Sequence, residues 1–327
     1  MEKIVVNAIE NLFDTFNSNK LQYVVLRNYK KLPEDLDSKD IDIMIEKKDS
    51  KLAWDLLVKV MKKSGAKYYY RKRERGLISS CFFWNHSLTT SLQIDLFTDF
   101  GFKGRIFLSA HEVLSEKKEF KNFYIPDPSH EIIISLLKPF MLSGEVKEKY
   151  INQYHQLLRD SSLHTRIEKT LGKCTGEKIA KKLILLLSEG NRKEIIKMKK
   201  AFDTYSHLIC FFRNPPRYIF NLLEHYYIMS KQILLPYSFI FFCYNCGSFP
   251  SHTWQISCIH FKYKDTKTLL NIFHSIISAI IEKRSKTVSI IGINKKYEFL
   301  SRIIPREFHI SDKNFFAILR EKVVERI

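Results

Sequence analysis

The first hundred residues alternate between segments with helical spacing of apolar residues and segments with the composition of strands. Residues 4–16 carry apolar side chains at helical intervals, which predicts an amphipathic helix. Residues 52–64 have the same spacing and end at Gly65, a residue typical of helix C-caps. Runs rich in β-branched and aromatic residues predict strands at 21–26, 41–45, 67–73, 77–84 and 91–97. This order of elements predicts a small α/β (or α+β) unit with a mixed sheet.

The rest of the chain falls into two regions with different patterns. Apolar residues at helical spacing predict a central helical block, with helices at 130–141, 147–159, 178–188, 192–211 and 218–234. Beyond it we expect a small C-terminal α/β region, with strands at 254–263 and 287–293, a helix at 268–283 and another from about 312. These patterns divide the chain into domains at 1–140, 141–235 and 236–327, and they leave the role of the last one open.

Two aspartates, Asp40 and Asp42, stand at the start of the apolar strand predicted at 41–45. Residues two apart on a strand project from the same face, so these carboxylates should lie side by side. Such a pair repels itself, and either one pKa rises or a cation binds. Asp95 stands in a similar strand, and a hard cation such as Mg²⁺ prefers carboxylate oxygens. The three aspartates therefore predict a metal site, and solvated strand ends are the alternative.

The order of these residues resembles the nucleotidyltransferase superfamily, which has the DNA polymerase β-like fold. Members have a helix, a strand, a turn, an Asp-x-Asp on the next strand and a third Asp on a later strand. Residues 23–28, the pair Asp40 and Asp42, and Asp95 match these elements in order. Together with Lys103-Gly104 they also resemble bacterial nucleotidyltransferase-like proteins found with surface-polysaccharide genes. The resemblance covers roughly residues 1–150.

The resemblance implies catalytic and metal-binding roles for the three aspartates. Asp40 and Asp42 would hold Mg²⁺ or Mn²⁺ against the phosphates of a nucleoside triphosphate, while Asp95 would complete a second site and help deprotonate the acceptor hydroxyl. The superfamily usually has Gly-Ser before the Asp-x-Asp, where this chain has Arg27 and Asn28, and this departure leaves the donor and catalysis itself open. Arg27 could donate to phosphate instead.

Three residues are therefore expected to contact the nucleotide: Arg27, Asn28 and Lys138. For Lys138 the alternative is an ordinary place on a helix surface. The activity implied is metal-dependent nucleotidyl transfer in bacterial surface-polysaccharide synthesis, with a sugar or polysaccharide as acceptor. The alternative is an inactive member of the fold that binds nucleic acid or a polysaccharide-assembly complex through a basic surface.

The charge of the chain is compatible with both alternatives. Lys and Arg number 54 against 35 Asp and Glu, a net charge of +19. Such a surplus favours polyanions, which include nucleic acid, nucleotide phosphates and anionic lipids, although a basic solvated surface explains it as well. A third class, an RNA-modifying transferase, would bind RNA with a steep salt dependence.

Two further segments have a functional and a structural interpretation. The basic helices at 178–200 and the aromatic-rich residues 218–242 fit either contact with an anionic membrane or packing in a core, and we expect core packing. Cys243 and Cys246 could bind zinc, but their apolar surroundings are typical of buried free cysteines. The longest apolar run, near 234–243, is too short to span a bilayer, and no signal peptide is evident. We therefore expect a cytoplasmic protein, with association at the inner face of the membrane as an option.

Overall fold

The structure is a computed structural model. It describes residues 2–35, 40–85, 90–143, 146, 148–154, 157 and 160–234, together with shorter stretches at 240–244, 253–256, 259–265, 287–293, 307–310 and 325–326. Side chains are described as far as residue 227, apart from those of residues 70, 72–74, 142, 143, 149, 153 and 154.

Helices and strands alternate in the first third of the described chain, and helices dominate from residue 128 to residue 234. The helices are α1 (Lys3–Ser18), α2 (Ser50–Lys63), α3 (Ala110–Ser115), α4 (Pro128–Ser143), α5 (Glu148–Tyr154), α6 (Ser161–Thr175), α7 (Glu177–Ser188), α8 (Arg192–Arg213) and α9 (Pro215–Leu234). The strands are β1 (Tyr23–Val25), β2 (Asp40–Ile45), β3 (Tyr68–Glu74), β4 (Leu77–Phe83), β5 (Ser91–Phe97), β6 (Asp99–Phe102), β7 (Arg105–Ser109), β8 (Lys118–Phe120), β9 (Phe123–Ile125), β10 (Ile240–Tyr244), β11 (Thr253–Ile256), β12 (Ile259–Asp265), β13 (Thr287–Ile293), β14 (Glu307–Ile310) and β15 (Glu325–Arg326).

The central feature of the N-terminal region is a six-stranded mixed sheet in the order β1-β2-β5-β4-β3-β15. Strands β2 and β5 are parallel, and the other neighbours are antiparallel. The predicted mixed sheet is thus confirmed. The predicted strands at 21–26, 41–45, 67–73, 77–84 and 91–97 all appear, with ends shifted by a few residues.

This sheet separates two cores because its strands are apolar on both faces. On one face Ile41, Ile43 and Ile45 pack with the buried sides of α1 and α2. On the other face Met44 and Phe97 belong to a second core, which continues through α4 and into α6, α7 and α8. Strands buried on both faces are read from sequence as continuous apolar runs, and β2 is such a run except at its aspartates.

The helical region shares its core with the sheet. The predicted boundary at residue 140 falls within α4, and buried residues of α4 pack both toward the sheet and toward α6 and α8. The division into domains stays a prediction. Helix α6 was not predicted, because its sequence is polar on most sides and buries mainly Leu163, Ile167 and Leu171.

The described strands of the C-terminal region form a five-stranded sheet in the order β11-β12-β13-β10-β14. The predicted strand at 287–293 is confirmed as β13. The prediction of one strand over 254–263 is wrong: two strands, β11 and β12, pair antiparallel there, with Trp254 opposite Phe261. The aromatic and β-branched residues belong to both strands, so their composition alone did not separate one strand from the other. The helices predicted at 268–283 and from about 312 lie outside the described residues, as does Cys246 of the predicted zinc site.

The core packing expected for the helices after residue 178 is only partly right. Helix α7 buries Leu183, Ile184 and Leu187 as expected. Helix α9 does not show the expected core packing, because five of its apolar side chains are exposed: Ile219, Phe220, Leu223, Tyr226 and Tyr227. Helical periodicity identifies an apolar face but not what covers it. No helix in the described part of the chain is long and apolar enough to cross a membrane.

A hairpin of β6 and β7, which the sequence analysis did not predict, docks onto the helices through Arg105. This side chain is 1% exposed, and its Nη1 donates to Asp203 Oδ1 at 2.8 Å and to Ser206 Oγ at 2.6 Å, both on α8. At the hairpin turn Gly104 has a φ of +82°, and a Cβ there would lie 3.0 Å from the Cα of Leu222 on α9. The hairpin therefore depends on a buried cation and on a glycine against the helix backbone.

Candidate metal centre

The register of the parallel pair β2 and β5 brings the predicted metal ligands together. Asp42 lies directly opposite Asp95, and Asp40 lies opposite Gln93. Asp40 and Asp42 are two residues apart on β2, so both project from the face that carries Asp95. That face is the one with Met44 and Phe97, while Ile41 and Ile94 fill the opposite core. The sequence could place Asp40 beside Asp42, and the sheet register adds Asp95.

We call Asp40, Asp42 and Asp95 the carboxylate cluster. One carboxylate oxygen from each lies within 4.8 Å of the others, and these three form the only group of three or more potential ligands in the described residues. Asp42 and Asp95 are buried, and Asp40, the first residue of β2, is half-buried. Three carboxylates at this separation repel one another unless cations or hydrogen bonds compensate them.

Two cations compensate Asp42. The Nε of Arg27 donates to Asp42 Oδ2, and Lys138 Nζ lies 3.3 Å from Asp42 Oδ1. Burial works to raise the pKa of Asp42, but Lys138 and Arg27 outweigh it and lower the pKa below its usual value. For the cationic Arg27 burial has the opposite effect and works to lower the pKa, but the carboxylate of Asp42 outweighs it and raises the pKa above its usual value. Both residues of this pair are therefore charged near neutral pH.

Arg27 is held in place by a second contact. Its Nη1 donates to the hydroxyl of Tyr150, on α5, at 2.8 Å. The chain reaches this position at the end of β1, where the N–H of Leu26 still bonds to the carbonyl of Asp42 at 2.8 Å. The pairing of β1 with β2 therefore fixes the position of Arg27.

Hydrogen bonds from its own sheet orient Asp95. Ser79 Oγ, on the neighbouring strand β4, donates to Asp95 Oδ1 at 2.6 Å, and Gln93 Nε2 donates to the same oxygen at 3.0 Å. Ser79 is the direct partner of Asp95 in the β4–β5 ladder. Two hydrogen bonds to one carboxylate oxygen fix the orientation of the Asp95 side chain.

Of the three residues predicted to contact a nucleotide, two lie at the carboxylate cluster. Arg27 and Lys138 both reach the carboxylate cluster. Asn28 follows Arg27 in the left-handed region, with a φ of 57°, and among the described residues it makes no hydrogen bond to the three carboxylates. A role of Asn28 toward a nucleotide stays a prediction.

Sequence reasoning missed Ser79 and Tyr150, and assigned no role to Gln93. A serine pair at 79 and 80 within the otherwise apolar strand β4 was a signal, because a polar residue buried in a sheet needs a partner. Tyr150 gave no signal, since its contact with Arg27 joins residues 123 positions apart.

The donor set of the cluster suits a hard cation. Carboxylate oxygens are preferred ligands of Mg²⁺, Mn²⁺ and Ca²⁺, and three of them converge here without a sulfur or nitrogen ligand. This chemistry does not choose among those ions. Arg27 and Lys138 add positive charge at the edge of the cluster, where an anionic group bound to the cation would also lie.

No family model, curated protein or solved structure matches this chain.

Proposed function

We propose that this chain is a metal-dependent nucleotidyltransferase-like enzyme. Asp40, Asp42 and Asp95 would hold Mg²⁺ or Mn²⁺, and a nucleoside triphosphate would be the substrate. The observation that carries the proposal is the parallel register of β2 and β5, which sets two buried carboxylates side by side with a third within reach. The helix, strand and carboxylate order that resembles the nucleotidyltransferase superfamily supports it.

When bound, the metal would neutralise charge on the phosphates and increase the acidity of the acceptor hydroxyl. Asp40 and Asp42 would bind the ion on the side of the donor phosphates. Asp95, oriented by Ser79 and Gln93, would bind it on the acceptor side, where one of its carboxylate oxygens can accept the hydroxyl proton.

Arg27 and Lys138 would change partners during binding. In the structure both are paired with Asp42. A divalent cation on Asp42 competes with these two side chains, and the phosphates then offer them a new acceptor. Arg27 is suited to this exchange because its guanidinium can donate two parallel hydrogen bonds to phosphate oxygens. In this way Arg27 would replace the Gly-Ser contact of the superfamily.

The biological setting is proposed from the resemblance alone. It suggests bacterial surface-polysaccharide synthesis, with a sugar or polysaccharide as acceptor, in the cytoplasm or at the inner face of the membrane. The excess of 54 Lys and Arg over 35 Asp and Glu suits substrates that carry phosphate.

One observation favours a second candidate, a non-catalytic protein that binds nucleic acid or an assembly complex through its basic surface. Arg27 and Lys138 already compensate Asp42, so this carboxylate does not require a metal. In that case the ion pairs would be structural, and a divalent cation would not displace them.

A thermal-shift experiment separates the two candidates. The full chain is heated with each common nucleoside triphosphate, with Mg²⁺, with Mn²⁺ or with EDTA. A ligand at a hundred times its Kd adds about 2.7 kcal/mol of stability, which is visible as a higher midpoint. We expect one nucleotide to raise the midpoint only when metal is present, and to release pyrophosphate when a sugar acceptor is added.

Two variants make the result specific. Asp40→Asn/Asp42→Asn should lose the metal-dependent shift. Glu10→Gln/Asp55→Asn removes the same charge from exposed positions on α1 and α2 and should keep it. A nucleotide shift that persists in EDTA and in the first variant would point to the binding protein. If no nucleotide shifts the wild type under any condition, the enzyme proposal is wrong.

A further inference from the structure

A second charged site lies between the hairpin of β6 and β7 and the corner where α8 meets α9. It is a cleft of about 380 Å³, lined among others by Glu112, Lys173, Arg213, Arg217, Cys210 and Tyr218. We call it the basic cleft. None of the described residues that line it belongs to the carboxylate cluster. Gly104 of the hairpin and Arg217 of α9 are both among the residues that line the basic cleft.

Positive charge predominates in the basic cleft, with three cations against one carboxylate. That carboxylate is already engaged: Glu112 accepts hydrogen bonds from the N–H of Ser109 at 3.0 Å and from the Ser109 hydroxyl at 2.8 Å, and Lys173 lies 3.2 Å away. Burial works to raise the pKa of Glu112, and the bonds from Ser109 and Lys173 lower it. Glu112 therefore takes part in the N-terminal cap of α3, and the two arginines are the charged residues of the cleft that can contact a ligand.

Arg213 is the last residue of α8, Arg217 lies in the first turn of α9, and both are exposed to solvent. Arg213 donates from Nη1 to the carbonyl of Lys173 at 3.3 Å, which holds its guanidinium beside the lysine. Arg217 is the third residue of α9. A bound anion would reduce the repulsion among the three cations that line the cleft.

The backbone of α9 leaves recognition to the side chains. Its first two residues, Pro215 and Pro216, have no N–H group. The N–H of Arg217 donates to Asn214 Oδ1 at 3.1 Å, and the N–H of Tyr218 donates to the Asn214 carbonyl at 2.9 Å. Hydrogen bonds to an anion in the cleft must therefore come from side chains, of which the arginines and Lys173 carry positive charge.

We propose that the basic cleft binds the phosphate group of a small phosphorylated molecule, such as a sugar phosphate or a nucleotide. Arginine matches the geometry of phosphate oxygens with paired donors. The cleft is larger than a single ion needs, and its volume falls in the range of small-molecule pockets, about 300 to 1000 Å³. Ile106, Phe107 and Tyr218 supply apolar and aromatic surface for the rest of the ligand.

Cys210 offers a local reporter for this site. It lines the cleft and is a free thiol. The hydrogen bond with Cys174 and the cations of Arg105 and Arg213 lower the pKa of Cys210 against the effect of burial. Among the described residues the Cys210 thiol is partly exposed, whereas Cys81 and Cys174 are buried. Cys210 should therefore react faster than either of them with iodoacetamide, a neutral reagent that the cations do not attract.

The experiment measures the alkylation rate of Cys210 in the full chain by peptide mass spectrometry, in EDTA. The probes are inorganic phosphate, glucose 1-phosphate and AMP, each against chloride at matched ionic strength. At ten times its Kd a probe that covers the thiol slows alkylation by about tenfold. Equal protection by all three shows that phosphate alone is recognised. Stronger protection by glucose 1-phosphate or by AMP shows that the cleft also binds the sugar or the nucleoside, and this result supports the proposal as well.

Variants test whether the arginines hold the ligand. Arg213→Gln/Arg217→Gln should abolish protection, judged as the ratio of rates with and without probe, because Arg213 also alters the thiol itself. Lys193→Gln/Lys200→Gln removes two exposed charges elsewhere on α8 and should leave protection unchanged. Absence of protection in the wild type, or the same protection in the arginine variant, would overturn the proposal.

The result is independent of the carboxylate cluster. Asp40→Asn/Asp42→Asn should show the same protection of Cys210 as the wild type, because the two sites share no described residue. Loss of protection in that variant, at a temperature below its own thermal unfolding midpoint, would overturn a phosphate site that is separate from the carboxylate cluster.

Discussion

The carboxylate cluster and the basic cleft contrast in how the fold treats their charges. In the cluster three acidic groups sit largely buried, and the structure compensates them with Arg27, Lys138 and hydrogen bonds from the sheet. In the cleft three cations line an open cavity, and the two arginines are exposed. Charges that are removed from water need fixed partners, whereas exposed charges are stabilised by solvent and stay available for a ligand.

The contrast also lies in what shapes each site. The cluster is built from adjacent strands, so its geometry follows from hydrogen-bonded register. The cleft is built where a hairpin meets helices α3, α6, α8 and α9, so its shape follows from how they pack. We therefore expect substitutions in the cluster to alter stability strongly through charge, and substitutions in the cleft to act mainly through backbone fit.

The largest effect is expected at Asp42. In Asp42→Ala the nearly buried Arg27 loses its carboxylate partner, and so does Lys138. Removal of one partner from a buried ion pair should lower the free energy of unfolding by about 3 kcal/mol. Urea unfolding of the full chain measures the change. Arg213→Ala, in the cleft, should stay within about 0.5 kcal/mol of wild type. Equal effects of the two substitutions would remove the contrast between buried and exposed charge.

An intermediate effect is expected at Gly104. Alanine there must adopt a φ of +82° and place its Cβ 3.0 Å from the backbone of Leu222. We expect Gly104→Ala to lower the free energy of unfolding by about 2 kcal/mol, because the strained backbone and the close contact add.

The matched control for this substitution is Gly172→Ala. Gly172 lies within α6, where a Cβ would make an ordinary contact at 3.5 Å with Glu177. Alanine there should stabilise the protein by up to about 1 kcal/mol. If both alanine substitutions change the free energy of unfolding in the same direction, the fit of the hairpin against α9 does not determine the shape of the cleft.

The smallest effect concerns Asp203, which pairs with Arg105 beneath the hairpin and is about one-third exposed. Burial works to raise the pKa of Asp203, but Arg105 and Lys199 lower it below the usual value. The folded protein thus binds this proton more weakly than the unfolded chain does. The stabilisation is fully present above the unfolded pKa of about 3.9 and is lost as pH falls further.

The corresponding measurement compares the unfolding free energy of wild type and Asp203→Asn between pH 6 and pH 3. The wild type should be the more stable at pH 6, and the difference should shrink as the solution is acidified. A difference that does not change with pH would show that Asp203 acts through its shape and hydrogen bonds and not through its charge.

Much of the N-terminal fold could be predicted because its elements have strong local patterns. Residues 4–16 and 52–64 show an apolar helical face, and α1 and α2 bury it as predicted. The β6–β7 hairpin escaped prediction because its stability depends on Arg105, whose partners lie about a hundred residues away. The prediction of a single strand over 254–263 failed because β11 and β12 have the same strand-like composition, and only their antiparallel pairing distinguishes them.

The sequence by itself determined the chemistry of the candidate site and part of its geometry. Asp40 and Asp42 must share a face of β2, because side chains alternate along any strand. The tertiary structure decided the rest: the β2–β5 register set Asp95 opposite Asp42, and chain folding brought Lys138 and Tyr150 to the same place. It also left the apolar side of α9 exposed and opened the basic cleft beside it. Local spacing specifies direction along one element, whereas contacts between distant elements depend on how the whole chain packs.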